Sequence, residues 1–220
     1  MQDFERILAA AGLNVSPQAL DAGYETSGAY LGRIWRDRRD VPVEEHVRVI
    51  LAAADRDVPG RVAPGVMAEL VDAYARPALL VPPDVDRDAR PALEALTARG
   101  YTLAVVSNTM RTPGVILRKI LERHGLLGFF KHATFSDEVG VRKPAPEIFA
   151  LALRAVSGEP ASAVHVGDDA VLDVEGAHAA GMRAIHVSSA PGRLSAMQQA
   201  DAVIPTLREL PTAIARLEAG

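Results

Sequence analysis

Apolar residues in the first part of the chain recur at the spacing of a helix face and show none of the alternation typical of strands. Such stripes run through residues 4–11, 20–35, 43–54 and 66–74. The pair Ser16-Pro17 is a typical helix start, because a serine side chain accepts hydrogen bonds from the first turn and proline fits into that turn. The pattern predicts that residues 1–80 are entirely helical.

The pattern changes near Pro82-Pro83, where short apolar runs begin to alternate with amphipathic segments. Strands are predicted over residues 102–106, 133–135, 163–166, 184–187 and 202–204, and helices over residues 88–99, 113–124, 146–156, 171–180 and at the C-terminus. Continuous apolar strands separated by helices indicate a parallel sheet that is covered on both faces. We therefore expect an α/β core domain over residues 81–220 and a helical domain over residues 1–80.

Composition narrows the classes of function. The chain has 220 residues, a net charge of −4 and no cysteine, so disulfides and thiolate catalysis are excluded and no attraction to nucleic acid or anionic membranes is indicated. No apolar run approaches the ~20 residues that span a bilayer, and the N-terminus lacks the apolar region of a secretory signal. These features predict a cytoplasmic protein without nucleic-acid or membrane partners.

Polar side chains stand at the ends of three predicted strands, which is where ligands bind in open α/β sheets. Ser107, Asn108 and Thr109 end the first strand and can hold an anionic oxygen, although a Ser-Asn pair is also ordinary turn chemistry. Lys143 precedes a helix that begins at Pro146, and its ammonium can pair with both a carboxylate and a phosphoryl group. A surface lysine in a loop is the alternative interpretation.

The third strand end is acidic. The run from Val164 to Asp169 reads VHVGDD, and Asp173 follows one helical turn later. Carboxylates this close repel one another, and a divalent cation offsets the repulsion, with hard oxygen ligands favouring Mg²⁺. A helix N-terminus explains one of these acids easily and three less well. The sequence therefore predicts a Mg²⁺ site formed by Asp168, Asp169 and Asp173.

Together and in this order, the three elements resemble motifs II, III and IV of the haloacid dehalogenase (HAD) superfamily, of its phosphatase type. The most specific strings are FSDEVGVRKPAPEIF over residues 135–149 and GDDAVLDVEGAHAAGM over residues 167–182. The resemblance extends from Pro82 to the C-terminus, and the helices before it resemble the helical cap of this family more loosely. It implies a Rossmann-like parallel-sheet core with an all-α cap, and hydrolysis of a small phosphorylated metabolite.

The resemblance also implies a role for each matched residue. Ser107 would hydrogen-bond the transferring phosphoryl oxygens, with Asn108 and Thr109 lining the site. Lys143 would neutralise charge on the nucleophile and the phosphate. Asp168 would be the main Mg²⁺ ligand, assisted by the two other aspartates of the acidic motif.

The family's nucleophile is missing from the sequence. In this family an aspartate ends the first strand, an acid follows two residues later, and Gly-Thr comes next; no such string occurs here. That strand is central in the fold, between the strands that end in Ser107 and Asp168, so its loss would open two inner strand edges. We expect that the true protein begins upstream, that the flanking strands pair directly, or that a partner donates a strand, and open edges would favour a homodimer.

Three functions stay open. The first is a HAD phosphatase whose sequence starts after its nucleophile strand. The second is an inactive HAD-like protein that binds a phosphorylated ligand or a partner protein. The third is a 2-haloacid dehalogenase, which needs no metal and which the acidic cluster disfavours, because unbalanced carboxylates would repel a haloacid.

Two other polar features are interpreted as structural. The six histidines, among them His165, have no spacing typical of metal ligands. The run Arg33–Asp40 carries mixed charges and is interpreted as a solvated helix face with local ion pairs.

Overall fold

The computed structural model describes residues 1–188 and 199–219, which divide into two compact units. The helical unit comprises residues 1–83, 109–120 and 136–140, and the sheet unit comprises residues 84–108, 121–135 and 141–220. The helical unit thus takes in two short segments from the later part of the chain. The assignment of residues 1–80 to a cap and of residues 81–220 to a core domain stays a prediction.

The helical unit is built from amphipathic helices around one main apolar core. Its helices are α1 (Gln2–Ala10), α2 (Pro17–Arg36), α3 (Val43–Ala54), α4 (Pro64–Ala75), α5 (Pro77–Leu80), most of α7 (Gly114–Arg123) and α8 (Ser136–Val139). As expected, α2 starts at the Ser16-Pro17 pair, where the Oγ atom of Ser16 accepts a hydrogen bond from the backbone N–H of Ala19 at 3.2 Å. The core holds fully buried side chains from four helices, among them Leu8, Leu20, Ile50 and Leu70.

Asp40 corrects the interpretation of the Arg33–Asp40 run as a solvated face. Helix α2 ends at Arg36, and the side chain of Asp40 beyond it is buried. One carboxylate oxygen accepts from the indole N–H of Trp35 at 3.1 Å, and the other accepts from the hydroxyl of Ser136 at 2.5 Å. A buried carboxylate needs such donors to offset its lost hydration, so Asp40 is a structural anchor within the helical unit.

In the part of the chain that the structure describes, the sheet unit holds five strands and the other helices. The strands are β1 (Leu103–Ser107), β2 (Phe130–Phe135), β3 (Val164–Gly167), β4 (Arg183–Val187) and β5 (Ala202–Ile204). The helices are α6 (Ala89–Ala98), α9 (Pro146–Val156), α10 (Gly176–Ala179) and α11 (Leu210–Ala219), with a π-helix over Ala170–Glu175 and short 3₁₀ turns over Leu127–Phe129, Pro160–Ser162 and Leu207–Glu209. Every strand pairing is parallel, so the unit has the α/β architecture that the alternation predicts.

The strands form two sheets, in the orders β1-β2 and β3-β4-β5. In the first sheet Ser107 pairs with Phe135, and in the second Gly167 pairs with His186. Apolar side chains cover the strands from both sides: the packing around Ile185 involves α6 and α11, and that around Ile148 and Phe149 involves the π-helix and α10.

A cavity of about 310 Å³ separates the two sheets within the sheet unit. It is lined along one side by Leu103, Ala104 and Val106 of β1, and along the other by Val164 and His165 of β3. Every residue of β1 and β3 is only half-buried, whereas the middle of β4, which has a strand on each side, is fully buried. In the described part of the chain the flanking strands therefore do not pair directly, and no strand lies between them.

Candidate active site

The loop after β1 is tied to the loop that carries Lys143. The Nδ2 atom of Asn108 donates to the backbone oxygen of Lys143 at 3.0 Å, and the backbone N–H of Lys143 donates to Oδ1 of Asn108 at 2.7 Å. Both polar ends of the amide are used, so the Asn108 side chain fixes the backbone of Lys143 from two directions. The Lys143-Pro144 peptide bond is cis, and α9 begins directly afterwards at Pro146.

The side chain of Lys143 meets the acidic loop that follows β3. Its Nζ atom donates to Oδ1 of Asp173 at 2.5 Å, and Nε2 of His165 donates to the same oxygen at 2.8 Å. The second carboxylate oxygen of Asp173 accepts from the backbone N–H of Asp169 at 3.0 Å. The end of β1 and the loops that bear Lys143 and Asp168 are therefore held together by these hydrogen bonds.

Asp173 is a buried carboxylate that stays ionised. Burial alone would raise the pKa of Asp173, but the hydrogen bond from His165 and the positive charge and hydrogen bond of Lys143 outweigh it and hold the pKa well below its usual range. The side chains of Asp173, Lys143 and His165 are 5%, 13% and 11% exposed, so this ion pair is screened only weakly by water.

A glycine lets Asp173 approach the end of β3. A Cβ atom at Gly167 would lie 2.1 Å from Cγ of Asp173, a distance that non-bonded atoms do not reach. Close approach thus requires glycine at this position. This accounts for the glycine that stands between the apolar strand and the two aspartates.

The three aspartates of the acidic motif do not form one ligand set. Asp173 is occupied by Lys143 and His165, and Oδ1 of Asp169 caps the π-helix by accepting from the backbone N–H groups of Val171 and Leu172. Among the described residues, no group of three or more histidine or acidic side chains is arranged to hold a metal ion. Asp169 and Asp173 have structural partners that the sequence did not reveal.

Asp168 is the carboxylate left for a cation. Its side chain is exposed and makes no hydrogen bond to the described residues, while its backbone oxygen accepts from Nε2 of His186 at 3.0 Å. Mg²⁺ in proteins is often held by one or two carboxylates, with water and substrate oxygens as the other ligands. The donors present fit that mode of binding, with one protein carboxylate rather than three.

The three polar residues Ser107, Asn108 and Thr109, at the end of β1 and just after it, have different surroundings. The Oγ atom of Ser107 lies 3.5 Å from the backbone oxygen of Asn108, a weak contact that leaves the hydroxyl available. Thr109 belongs to the helical unit, where its backbone N–H donates to Oγ of Ser136 at 2.8 Å and its hydroxyl donates to Asp40 at 3.3 Å. Among the described residues, the Ser107 hydroxyl makes only this weak contact, whereas the side chains of Asn108 and Thr109 have closer partners.

His165 is a site residue that sequence reasoning missed. Its ring packs edge-on against Phe149, with the ring centroids 5.0 Å apart, and this contact orients Nε2 toward Asp173. One signal was available, because His165 interrupts an otherwise apolar strand two residues before Gly167. A polar residue inside a buried strand needs a partner, and that partner is Asp173.

Comparison with known proteins places these motifs in a family. The sequence profile of the haloacid dehalogenase-like hydrolases matches residues 14–181. A ribulose-1,5-bisphosphate 5-phosphatase from Halopiger xanaduensis is 34% identical over 159 residues, which cover 69% of this chain and 65% of that protein. The chain spans between 38% and 65% of the length of the curated relatives it matches.

Solved structures resemble the chain over nearly its whole length. A 2-haloacid dehalogenase from Pseudomonas syringae has a TM-score of 0.64 at 25% identity, with 98% of this chain and 89% of that one covered. A HAD phosphatase from Thermococcus onnurineus has a TM-score of 0.59 at 27% identity, with 96% and 86% covered. The fold, the order of the motifs and the matched profile agree: the chain belongs to the haloacid dehalogenase-like hydrolases.

Proposed function

We propose that this chain is the larger part of a Mg²⁺-dependent phosphatase that acts on a small phosphorylated metabolite through an aspartyl-phosphate. The observation that carries the proposal is the buried Lys143–Asp173–His165 group, which the side chain of Asn108, the neighbour of Ser107 in the chain, joins through the backbone of Lys143. The nucleophilic aspartate is not among the 220 residues and would be supplied from outside them. A cytoplasmic location and a homodimer stay predictions.

Lys143 is the electrostatic centre of the proposed site. Asp173 holds the ammonium of Lys143, and Asn108 holds its backbone, before substrate binds. The ammonium therefore does not have to reorient when charge develops on the phosphoryl oxygens. Ser107 would donate its free hydroxyl to one of those oxygens. Because Asn108 and Thr109 are committed elsewhere, we assign them to positioning rather than to direct contact with substrate.

Asp168 would hold the Mg²⁺ ion, whose charge, when bound, would offset the negative charge of the phosphoryl group. Asp169 and Asp173 would act on the ion only indirectly, by shaping the loop that carries Asp168.

Two kinds of relative support the reaction class. The Halopiger relative is a phosphatase by name, and one of the structural neighbours is a HAD phosphatase. Both support a phosphoric monoester as substrate, and neither selects a particular metabolite.

The test is phosphate release from p-nitrophenyl phosphate and a panel of phosphosugars and phosphoglycolate, with and without Mg²⁺. The 220 residues alone should be inactive. The same residues preceded by the strand encoded in the reading frame upstream of Met1 should release phosphate with Mg²⁺. Lys143→Met should lower that rate by ~10²- to 10³-fold, as loss of a charged transition-state donor does. Lys131→Met, an exposed lysine of the sheet unit, is the matched control and should leave the rate unchanged.

Three results would overturn the proposal. The first is a reading frame upstream of Met1 that encodes no apolar strand ending in aspartate. The second is phosphate release that does not depend on Lys143. The third is complete inactivity of the extended protein toward every phosphomonoester, which would favour an inactive HAD-like binding protein.

A 2-haloacid dehalogenase is the second candidate, because the Pseudomonas syringae neighbour is such an enzyme and matches the fold with a TM-score of 0.64. The exposed carboxylates of Asp168 and Asp169 disfavour it, since they would repel an incoming haloacid. Chloride release from 2-chloropropionate in the absence of Mg²⁺ would establish this activity in place of phosphate release.

A further inference from the structure

The peptide group between Asp168 and Asp169 is held at both of its ends. Its carbonyl oxygen accepts from Nε2 of His186 at 3.0 Å, and its N–H donates to Oδ2 of Asp173 at 3.0 Å. Because a carbonyl oxygen can only accept, Nε2 of His186 carries the proton in this contact. A planar peptide group with a partner at each end cannot rotate without breaking one of the two hydrogen bonds.

The sheet places His186 for this contact. His186 lies in β4 and pairs in register with Gly167, the residue before Asp168. It is 6% exposed, and its other ring nitrogen, Nδ1, has no hydrogen-bond partner among the described residues. A buried polar side chain needs a partner, and the backbone oxygen of Asp168 is the partner that the described part of the chain provides.

A second histidine supports the other end of the same peptide group. In β3, which neighbours β4, Nε2 of His165 donates to Oδ1 of Asp173, and Oδ2 of Asp173 accepts from the N–H of Asp169. Two adjacent parallel strands thus each contribute one histidine to the loop that follows β3. His186 holds this loop directly, whereas His165 holds it through Asp173.

The Asp168 carboxylate therefore projects from an ordered backbone. Gly167 before it is the last residue of β3, and the peptide group after it has a partner at each end. The carboxylate itself is exposed, so its side-chain torsions are the remaining freedom. Hydrogen bonds that orient a ligand in this way, without touching the metal, strengthen metal binding.

We propose that His186 is a positioning residue for the cation site of Asp168. Its hydrogen bond to the backbone oxygen of Asp168 holds the carboxylate in the orientation that binds a divalent cation, and His186 itself does not touch the ion. This inference rests on the proposed function, which assigns Mg²⁺ to Asp168.

The test measures binding of Mn²⁺, a paramagnetic substitute for Mg²⁺, by the broadening of the Asp169 amide resonance in a titration of the 220-residue chain. His186→Leu removes the donor and should weaken Mn²⁺ binding by ~10-fold, as loss of a ligand-orienting hydrogen bond does. His186→Gln can place an N–H where Nε2 stands and should bind like the unmodified chain. His186→Asn is also polar but one methylene shorter, and it should bind as weakly as His186→Leu.

Hydrogen exchange at the Asp169 amide gives a second readout that needs no cation. Exchange should be ~2- to 10-fold faster in His186→Leu and His186→Asn, the effect of one lost hydrogen bond, and unchanged in His186→Gln. His132→Leu replaces an exposed histidine of β2 and is the matched control, which should alter neither exchange nor Mn²⁺ binding.

Equal Mn²⁺ affinity of His186→Gln and His186→Asn would overturn the proposal, and this comparison decides even if His186→Leu does not fold. Asp168→Asn separates this failure from that of the proposed function. If Asp168→Asn weakens Mn²⁺ binding while the two polar His186 variants bind alike, only the positioning role is refuted. If Asp168→Asn binds Mn²⁺ as tightly as the unmodified chain, the Asp168 site itself is refuted, and the positioning role with it.

Discussion

At the scale of residues, Asp173 connects the parts of the candidate active site. Its two carboxylate oxygens accept hydrogen bonds from Lys143, His165 and the backbone N–H of Asp169. These three donors lie in two loops and one strand. Removing one partner of a buried ion pair leaves the other charge uncompensated, so the group is held as a unit. Gly167 makes this arrangement possible, since any larger residue would occupy the space of the Asp173 side chain.

Gly167→Ala should therefore destabilise the sheet unit. The added Cβ would displace Asp173, and forced displacement in a packed site costs ~1–3 kcal/mol. Urea unfolding should show the loss as a lower midpoint. Gly128→Ala is the matched control, because nothing lies within 4 Å of a Cβ at that position, and it should change the free energy of unfolding by less than ~0.5 kcal/mol. Equal midpoints for the two variants would contradict the steric role of Gly167.

The sequence predicted a candidate site from residue types but did not predict the contacts within it. Lysine, serine and aspartate at strand ends indicated one edge of the sheet, because parallel strands bring their carboxyl ends together, and the roles of these residues stay predictions. The burial of Asp40 and the pairing of His165 were not predicted. Two of the donors to Asp40, Thr109 and Ser136, lie 69 and 96 positions away, and no local pattern encodes such distant contacts.

At the scale of elements, the segment after β3 departs from the regular helix that its sequence predicts. The structure has a π-helix over Ala170–Glu175 followed by a single α-helical turn over Gly176–Ala179. Apolar periodicity distinguishes poorly between such helix types, whereas tertiary contacts fix them; π-turns are frequent at functional sites. Strand positions were predicted to within a few residues, because continuous apolar runs are a strong signal in parallel sheets.

Asp169→Ala tests the start of this segment. The side chain of Asp169 accepts from two backbone N–H groups, at 2.9 and 2.8 Å, and replacing such a cap by alanine typically costs ~1 kcal/mol. Asp169→Ser keeps an acceptor oxygen and should recover most of that loss. The comparison is made by thermal unfolding at neutral pH. If alanine and serine at position 169 unfold at the same temperature, the side chain does not act as a cap.

At the scale of the whole molecule, the cavity between β1 and β3 is an opening between the two sheets of the sheet unit. A strand edge that pairs with nothing exposes its backbone N–H and C=O groups, and proteins generally avoid such edges. Both edges here border one cavity, and the loops at their carboxyl ends are joined through the hydrogen bonds of Lys143 to Asn108 and to Asp173. The opening therefore has three features expected of a site for one more parallel strand. Two unpaired strand edges border it, its walls are largely apolar, and the loops at the carboxyl ends of both strands are joined.

An apolar strand placed before Met1 should raise the stability of the sheet unit. Each apolar side chain that it buries is worth ~1.5–3 kcal/mol, so the urea midpoint should increase clearly. The extended chain should also bind less of a hydrophobic dye than the 220 residues alone. A strand of equal length with lysine at alternate positions is the control and should have neither effect. An unchanged midpoint with the apolar strand would show that the opening does not accept it.

The fluorescence of Trp35 reports on the helical unit separately from the sheet unit. It is the only tryptophan of the chain, and its indole N–H is bonded to Asp40 inside the helical unit. The sheet unit contains a single tyrosine, Tyr101, and no tryptophan. Indole fluorescence thus follows the helical unit alone, while far-ultraviolet circular dichroism sums the helices and strands of both. Comparing the two signals during denaturation distinguishes a single cooperative transition from the stepwise loss of two independently folded bodies.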